Sequence, residues 1–155
     1  MRTSKLAVAA ALALPPSTPL LSQVPAVDLD SVASVQGSWS YRPVAGGSEA
    51  AFVDASATRR LVVRCSRVAR SVSIIRTGVP AAAPTLSIWT TSGSRSVPAR
   101  FEATKVLTAD IAATDPLLDS IAFSRGRFAT AAAGAPIFAV PVWPEPARVV
   151  EDCRN

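Results

Sequence analysis

The sequence predicts an all-β protein, an antiparallel β-sandwich or barrel of about seven to nine strands with one or two short helices, the last at the C-terminus. Two observations lead to this prediction. Short segments with strand-like alternation recur along the chain, separated by turn signals about every 8 to 12 residues. The 155 residues also include 13 prolines, seven glycines and one methionine, a composition that favours a turn-rich β protein over a helical bundle.

The chain contains a series of segments with the composition of β-strands. They are, in order, "SWSYRPV" (38–44), "EAAFVDA" (49–55), "RRLVVRCS" (59–66), "RSVSIIRTG" (70–78), "TLSIWTTSG" (85–93), "SRSVPARFEA" (94–103), "KVLTADI" (105–111), "GRFATAAAG" (126–134) and "PIFAVPVW" (136–143). The third gives the clearest alternation, because Leu61, Val63 and Cys65 fall on one face and Arg60, Val62 and Arg64 on the other. Pro98 in the sixth segment predicts an edge strand or a β-bulge.

Two segments have the pattern of short helices. Asp115 stands at an N-cap position and Pro116 at the first helical position, which predicts a helix over 116–123. Near the C-terminus, prolines can begin a second helix over 145–153. Val149, Val150 and Cys153 share one face of it at helical spacing, so we expect this helix to pack against the sheet.

The first 26 residues have the parts of a secretory signal peptide. Arg2 and Lys5 precede a short apolar run, and prolines then end any helix. We expect cleavage after Ala26, with "ALA" (11–13) as the alternative site and an uncleaved anchor as the alternative to removal. The predicted organisation is therefore a signal peptide at 1–26, a flexible mature N-terminus at 27–37 and a single β-rich domain at 38–155. The predicted location is periplasmic or secreted.

The chain has two cysteines, Cys65 and Cys153, separated by 88 positions. In an oxidising compartment such a pair predicts a disulfide. The chain-entropy model gives a loop of that size about 4 to 5 kcal/mol of stabilisation. Two separate buried thiols are the alternative.

The formal charge is +5, but Arg2 and Lys5 belong to the predicted leader, so fourteen basic and eleven acidic groups remain, a net charge of +3. The arginines are spread along strand-like segments and do not alternate with stacking aromatics, which disfavours nucleic acid as a partner. A mildly basic surface favours anionic components of the cell envelope.

The sequence contains no histidine. Ser-His-Asp and Cys-His catalytic sites and histidine metal sites are therefore excluded, and no phosphate-binding glycine loop is present. We predict no metal and no cofactor. Paired carboxylates remain as an alternative, since Asp115 and Asp119 with Glu102 or Asp110 could serve a hydrolase. We favour structural roles at the helix N-terminus for the first two.

The motif "FSRGRF" (123–128) carries the most distinctive candidate contact residues. Arg125 and Arg127 flank Gly126 and could bind a carboxylate or a phosphate. The alternative, which we favour, is a turn into a strand, with both arginines paired to Glu151 and Asp152 of the acidic tail.

With "GSWSY" (37–41), "LVVRCS" (61–66), "AFSRGRF" (122–128) and "WPEPARVVEDCR" (143–154), the chain resembles uncharacterised exported proteins of alphaproteobacteria. Its layout is also similar to the invasion-associated locus B proteins and to an accessory protein of type VI secretion. The resemblance covers most of the mature chain and implies an envelope protein, without a catalytic residue to carry over.

We therefore expect an exported envelope protein that is a non-enzymatic binding or interaction domain. A periplasmic hydrolase using carboxylates, or an inhibitor of a cell-wall enzyme, is the alternative.

Overall fold

The computed structural model describes residues 27–155, so the predicted signal peptide at 1–26 lies outside the described residues. In this range ten strands form two antiparallel sheets that are not closed into a barrel, which selects the sandwich over the barrel. The strands are β1 (Gly37–Val44), β2 (Gly47–Asp54), β3 (Arg59–Ser66), β4 (Ser71–Thr77), β5 (Thr85–Thr90), β6 (Gly93–Pro98), β7 (Arg100–Glu102), β8 (Val106–Ala112), β9 (Arg127–Ala131) and β10 (Phe138–Pro141). The six-stranded sheet has the order β1-β2-β3-β4-β8-β7, and the four-stranded sheet has the order β10-β9-β5-β6.

The count exceeds the predicted seven to nine strands because one predicted segment is two strands. The chain leaves the four-stranded sheet after Pro98, at the end of β6, and enters the six-stranded sheet as β7. Between them the Ala99 N–H donates to the Pro84 carbonyl at 2.9 Å, outside either ladder. Proline has no N–H to continue a ladder, so Pro98 ends its strand and the next residues are free to change sheets.

The main hydrophobic core lies between the inner faces of the two sheets. Phe52, Leu61 and Ile74 contribute from the six-stranded sheet, and Leu86 and Phe128 from the four-stranded sheet, all without exposed surface. Alternation along each strand sends these residues inward and their neighbours outward. The outer face of the six-stranded sheet thereby receives the alternate side chains, which are charged, polar and in part aliphatic.

Trp39 on β1 contacts both sheets. Its ring meets Phe52 edge-on at 5.5 Å between centroids and stacks on Phe128 at 6.3 Å, distances at which aromatic pairs attract. Its indole N–H donates to the Pro141 carbonyl of β10 at 2.9 Å, so the one polar atom of the ring is satisfied although the residue is buried. Gly46, at φ +76°, closes the two-residue turn from β1 to β2.

The two helices of the described chain are α1 (Pro116–Ala122) and α2 (Pro144–Arg154), within a residue of their predicted limits. Helix α2 packs on β1 to β4 and against α1. Val149, Val150 and Cys153 are its buried residues, together with Pro146, as the helical spacing predicts. Neither helix of residues 27–155 has the length and apolar character needed to cross a membrane.

The predicted disulfide is present between Cys65 on β3 and Cys153 on α2, with a Cα–Cα distance of 5.4 Å and both residues buried. Two contacts beside it also hold the helix. The Tyr41 hydroxyl donates to the Asp152 carboxylate at 2.7 Å, and the Arg148 guanidinium lies 4.0 Å from the Tyr41 ring centroid. The C-terminal helix is therefore fixed to the sheet by a covalent bond and by polar contacts.

The residues before β1, which we call the N-terminal segment (27–36), pack on the outer face of the four-stranded sheet. Leu29 is buried against Trp89, Ala129 and Ala139, and the Val35 N–H donates to the Ala139 carbonyl at 2.8 Å. The sequence predicts a flexible terminus at 27–37, and in the structure the segment lies on the sheet through these contacts. The physical reason is that β10 is an edge strand with unpaired backbone groups beside an apolar face, and the segment covers both.

We predict that Cys153→Ser lowers the free energy of unfolding by about 2 to 5 kcal/mol, because the bond closes a long loop in the unfolded chain. Thermal and denaturant unfolding would measure the loss. Cys65→Ser should cost about the same, and the double variant little more, since either change breaks the same bond. Serine variants that melt with the wild type would show that packing alone holds α2.

Candidate functional site

Arg125 and Arg127 both lie near the N-terminal segment. Arg127 Nη1 donates to the Val32 carbonyl, and Arg125 lines a cavity that residues of that segment also line. The favoured prediction, that these arginines pair with Glu151 and Asp152, is wrong. The "FSRGRF" turn leads into β9 of the four-stranded sheet, whereas α2 and its acids pack on the six-stranded sheet.

The alternative prediction for Arg125 is an anion-binding role, and the acidic side chains that line the same cavity weaken it. The cavity has a volume of about 470 Å³, and Asp28, Asp30, Thr90 and Thr91 are among its lining residues. Two carboxylates and one guanidinium carry no positive excess, so a further anion gains little Coulombic attraction there. Arg127 uses one of its donors on a backbone carbonyl. The structure does not bring the two arginines onto a common ligand position.

The acids of α1 have structural partners. Asp115 caps the helix, as predicted, by accepting from the Leu117 N–H at 2.8 Å, and it pairs with Arg95 at 2.7 Å. The hydrogen bond from Arg95, and then the one from Leu117, hold the pKa of Asp115 below its ordinary value despite some desolvation. Asp119 pairs with Arg154 of α2 at 2.7 Å. Both acids are thus engaged at helix ends.

The other two acids of the hydrolase alternative lie at the far edge of the six-stranded sheet. Asp110 on β8 accepts from the Ser73 hydroxyl and pairs with Arg100 of β7. Burial raises the pKa of Asp110, but the hydrogen bonds from Ser73 and Arg100 outweigh it and lower the pKa overall. Glu102 lines a groove on the outer face. Within residues 27–155, acidic and cysteine side chains do not form a cluster that could hold a metal ion.

The outer face of the six-stranded sheet carries a charge cluster that the sequence alone did not predict. Glu49 on β2 has no exposed surface, although its side chain points away from the core. Among the described residues, its carboxylate contacts Arg42, Arg59 and Arg64, which we call the arginine cluster. These arginine side chains keep 62%, 39% and 48% of their surface exposed. They bury the acid beneath them and face solvent themselves.

Strand register builds most of this cluster. Arg42 on β1 and Arg64 on β3 both pair directly with Glu49 on β2, so the three side chains form one row across three strands. Arg42 donates to Oε1 through Nε at 3.1 Å and Nη2 at 2.9 Å. Arg64 donates to Oε2 through Nε at 2.8 Å and through Nη2. Each guanidinium therefore binds one carboxylate oxygen through two of its nitrogens.

A β-bulge adds the third arginine. The register of β2 and β3 shifts between Phe52 and Val53, which sets Arg59 opposite Val53. The bulge inserts one residue and so reverses the alternation beyond it. Arg59 lies on the outer face and its Nη2 reaches Glu49 Oε1, whereas Arg60 extends toward Asp54 and the Phe138 ring. The prediction that Arg60 shares a face with Arg64 is therefore wrong, because it assumed strict alternation through β3.

The cluster has a positive excess of two charges, because one carboxylate faces three guanidiniums. Burial raises the pKa of Glu49, but hydrogen bonds from Arg64 and Arg42 and the charge of Arg59 outweigh it, so the pKa lies below its ordinary value. Glu49 is therefore ionised at neutral pH. Each guanidinium has five N–H donors, and several in the cluster are not used on Glu49, which leaves them for an external acceptor.

An open groove of about 420 Å³ begins beside the cluster and crosses the outer face from β3 to β7. Arg59 and Arg64 line its first end. Its lining includes an aliphatic strip, with Val62 nearly buried and Ile75 and Val106 half-buried, beside the hydroxyl side chains of Ser73, Thr77 and Thr108. The groove thus joins a cationic end to a partly aliphatic lining.

Arg76 is a second unusual charge, placed inside the sandwich. It is 2% exposed, its guanidinium lies 3.8 Å from the centroid of Phe138, and Nη1 has no hydrogen-bond partner. Desolvation and then the charge of Arg60 lower the pKa of Arg76 to about 10, so it remains charged at neutral pH. Its close stacking on the ring indicates a cation–π contact that supports the core.

In comparisons with known proteins, no family model, no curated protein and no solved structure matches this chain. Its function is therefore inferred from the geometry of residues 27–155.

We predict that Glu49→Gln lowers the free energy of unfolding at pH 7 by about 2 to 3 kcal/mol. This is less than the roughly 3 to 5 kcal/mol of a fully buried pair, because the arginines are half exposed. Since the folded pKa of Glu49 is lowered from 4.5, the stabilisation is present above pH 4.5 and is lost as the pH falls below it. Denaturant unfolding across this pH range would measure both effects. A variant as stable as the wild type at pH 7 would contradict the prediction.

Proposed function

We propose that this protein is an exported, non-enzymatic binding domain of the cell envelope that binds an anionic component through the arginine cluster. The observation that carries the proposal is the excess of two positive charges above a buried carboxylate, on a face where the guanidiniums remain accessible.

The anchoring of the cluster favours binding over a purely structural role. Glu49 fixes three long side chains that would otherwise lose rotamer freedom when a ligand binds. Preorganised donors cost less entropy on association, and arginine forks match the geometry of carboxylate and phosphate oxygens. A single acid is enough to position the arginines and too little to neutralise them.

The location is supported by the disulfide, because such bonds persist in oxidising compartments and are rare in the cytosol. The resemblance to exported proteins of alphaproteobacteria agrees with this location. For the hydrolase alternative, Asp110, Asp115 and Asp119 each have an arginine partner, which favours structural roles for them.

We predict that methyl phosphate binds the arginine cluster and that Arg64→Gln weakens this binding about three- to tenfold. A charge-assisted hydrogen bond contributes about 1.5 to 3 kcal/mol, less where solvent screens it, and 1.4 kcal/mol is tenfold in affinity. Titration followed by the NMR signals of backbone amides and arginine Nε groups would give both affinity and place.

Arg125→Gln is the matched control. It also removes one arginine charge, but in the turn before β9 of the other sheet, so the affinity for methyl phosphate should not change. Signals that shift around Arg125, or an affinity that Arg64→Gln does not alter, would refute the proposed site.

We also predict that the protein isolated from the periplasmic fraction of its native host lacks about the first 26 residues. The charged start, short apolar run and proline break are typical of a cleaved signal peptide. Intact-mass measurement would give the new terminus. Recovery of the chain with Met1 in a membrane or cytosolic fraction would contradict export.

A further inference from the structure

We infer that the groove on the outer face binds a single-chain amphiphile with a phosphate monoester head. The head lies at the arginine cluster, and the chain lies along the aliphatic strip of the groove. This inference rests on the proposed function and names the ligand class for the same site.

The charge of the cluster matches a phosphate monoester. The excess is two positive charges, and such a phosphate carries about −1.5 to −2 at pH 7, whereas a carboxylate carries one charge. Phosphate oxygens also accept from several guanidinium forks together. A dianionic head therefore neutralises the cluster more completely than a carboxylate head.

The charges along the groove give the ligand a direction. At the far end Arg100 is paired with Asp110, and Glu102 adds a carboxylate to the lining. The positive excess is confined to the end at β2 and β3. A phosphate is thus attracted to one end of the groove and repelled from the other, which sets the chain across β4 and β8.

The aliphatic strip suits an alkyl chain. Val62 on β3 lies directly opposite Ile75 on β4, and Val106 on β8 lies diagonally beyond, opposite Thr77, so the strip crosses two strand spacings, about 10 Å. The volume of about 420 Å³ is within the roughly 300 to 1,000 Å³ of ligand pockets. Because the strip is short and the groove is open, it fits one chain of medium length better than a two-chain lipid.

The test compares octyl phosphate, methyl phosphate and octyl glucoside on the oxidised protein expressed from the full coding sequence. All three are used as monomers in solution, and binding is measured by calorimetry and NMR. Octyl phosphate should bind at least about tenfold more tightly than methyl phosphate, which requires burial of about two methylenes. Octyl glucoside should bind more weakly than octyl phosphate, since it lacks the charged head.

Two variants separate head from chain. Arg64→Gln should weaken both phosphates, whereas Ile75→Thr, which keeps a β-branched side chain, should weaken octyl phosphate severalfold and leave methyl phosphate unchanged. Arg125→Gln should change neither. Unfolding curves of each variant confirm that the fold is intact.

Each other outcome overturns a specific statement. Equal affinities for octyl and methyl phosphate would leave the anion site in place and refute the amphiphile. Octyl glucoside binding as tightly as octyl phosphate would show an apolar groove without head recognition. If Arg64→Gln changes the affinity for neither octyl phosphate nor methyl phosphate, or if neither binds, both this inference and the proposed function fail.

Discussion

The covalent bond between β3 and α2 is the constraint on which the rest of the structure depends. Strand β3 lies inside the six-stranded sheet, and its alternation sends Cys65 to the inner face and Arg64 to the outer face. The disulfide holds α2 over one end of the core, where Val149 and Val150 are buried. The same strand that is tied to the helix on one side therefore carries two of the three cluster arginines, Arg59 and Arg64, on the other. A rigid sheet is what allows half-exposed arginines to keep a defined arrangement.

The cluster depends on an irregularity in that sheet as much as on its regular pairing. Register alone sets Arg42 and Arg64 beside Glu49, with two arginines for one acid. The bulge after Phe52 brings Arg59 to the same face and raises the excess charge from one to two. Bulges often re-aim a side chain next to a functional site. Here the bulge adds a third guanidinium to the two that the register places beside one carboxylate.

Glu49 and Arg76 are both buried charges, and the cost of their desolvation is compensated in two different ways. Glu49 is buried among cations, which compensate its desolvation by hydrogen bonds and opposite charge. Arg76 is buried against the Phe138 ring, where the aromatic face supplies the compensation and the pKa still falls to about 10. The first arrangement leaves guanidinium donors in solvent, whereas the second leaves the guanidinium within the core. This difference is why we place the proposed binding site on the outer face and not at the interior arginine.

The sequence by itself determined the features that arise from neighbouring residues or from a pair with one partner. Alternation predicted the β class, Asp115 and the following proline predicted α1, and two cysteines predicted their bond. Only the tertiary structure decided which strands pair, where the chain changes sheets after Pro98, and that Arg125 lies beside the N-terminal segment rather than the acidic tail. It alone placed Glu49 among its arginines. The physical reason is that caps and alternation are set within a few residues, whereas register and bulges arise when separate segments meet, and a one-residue shift moves every side chain to the other face.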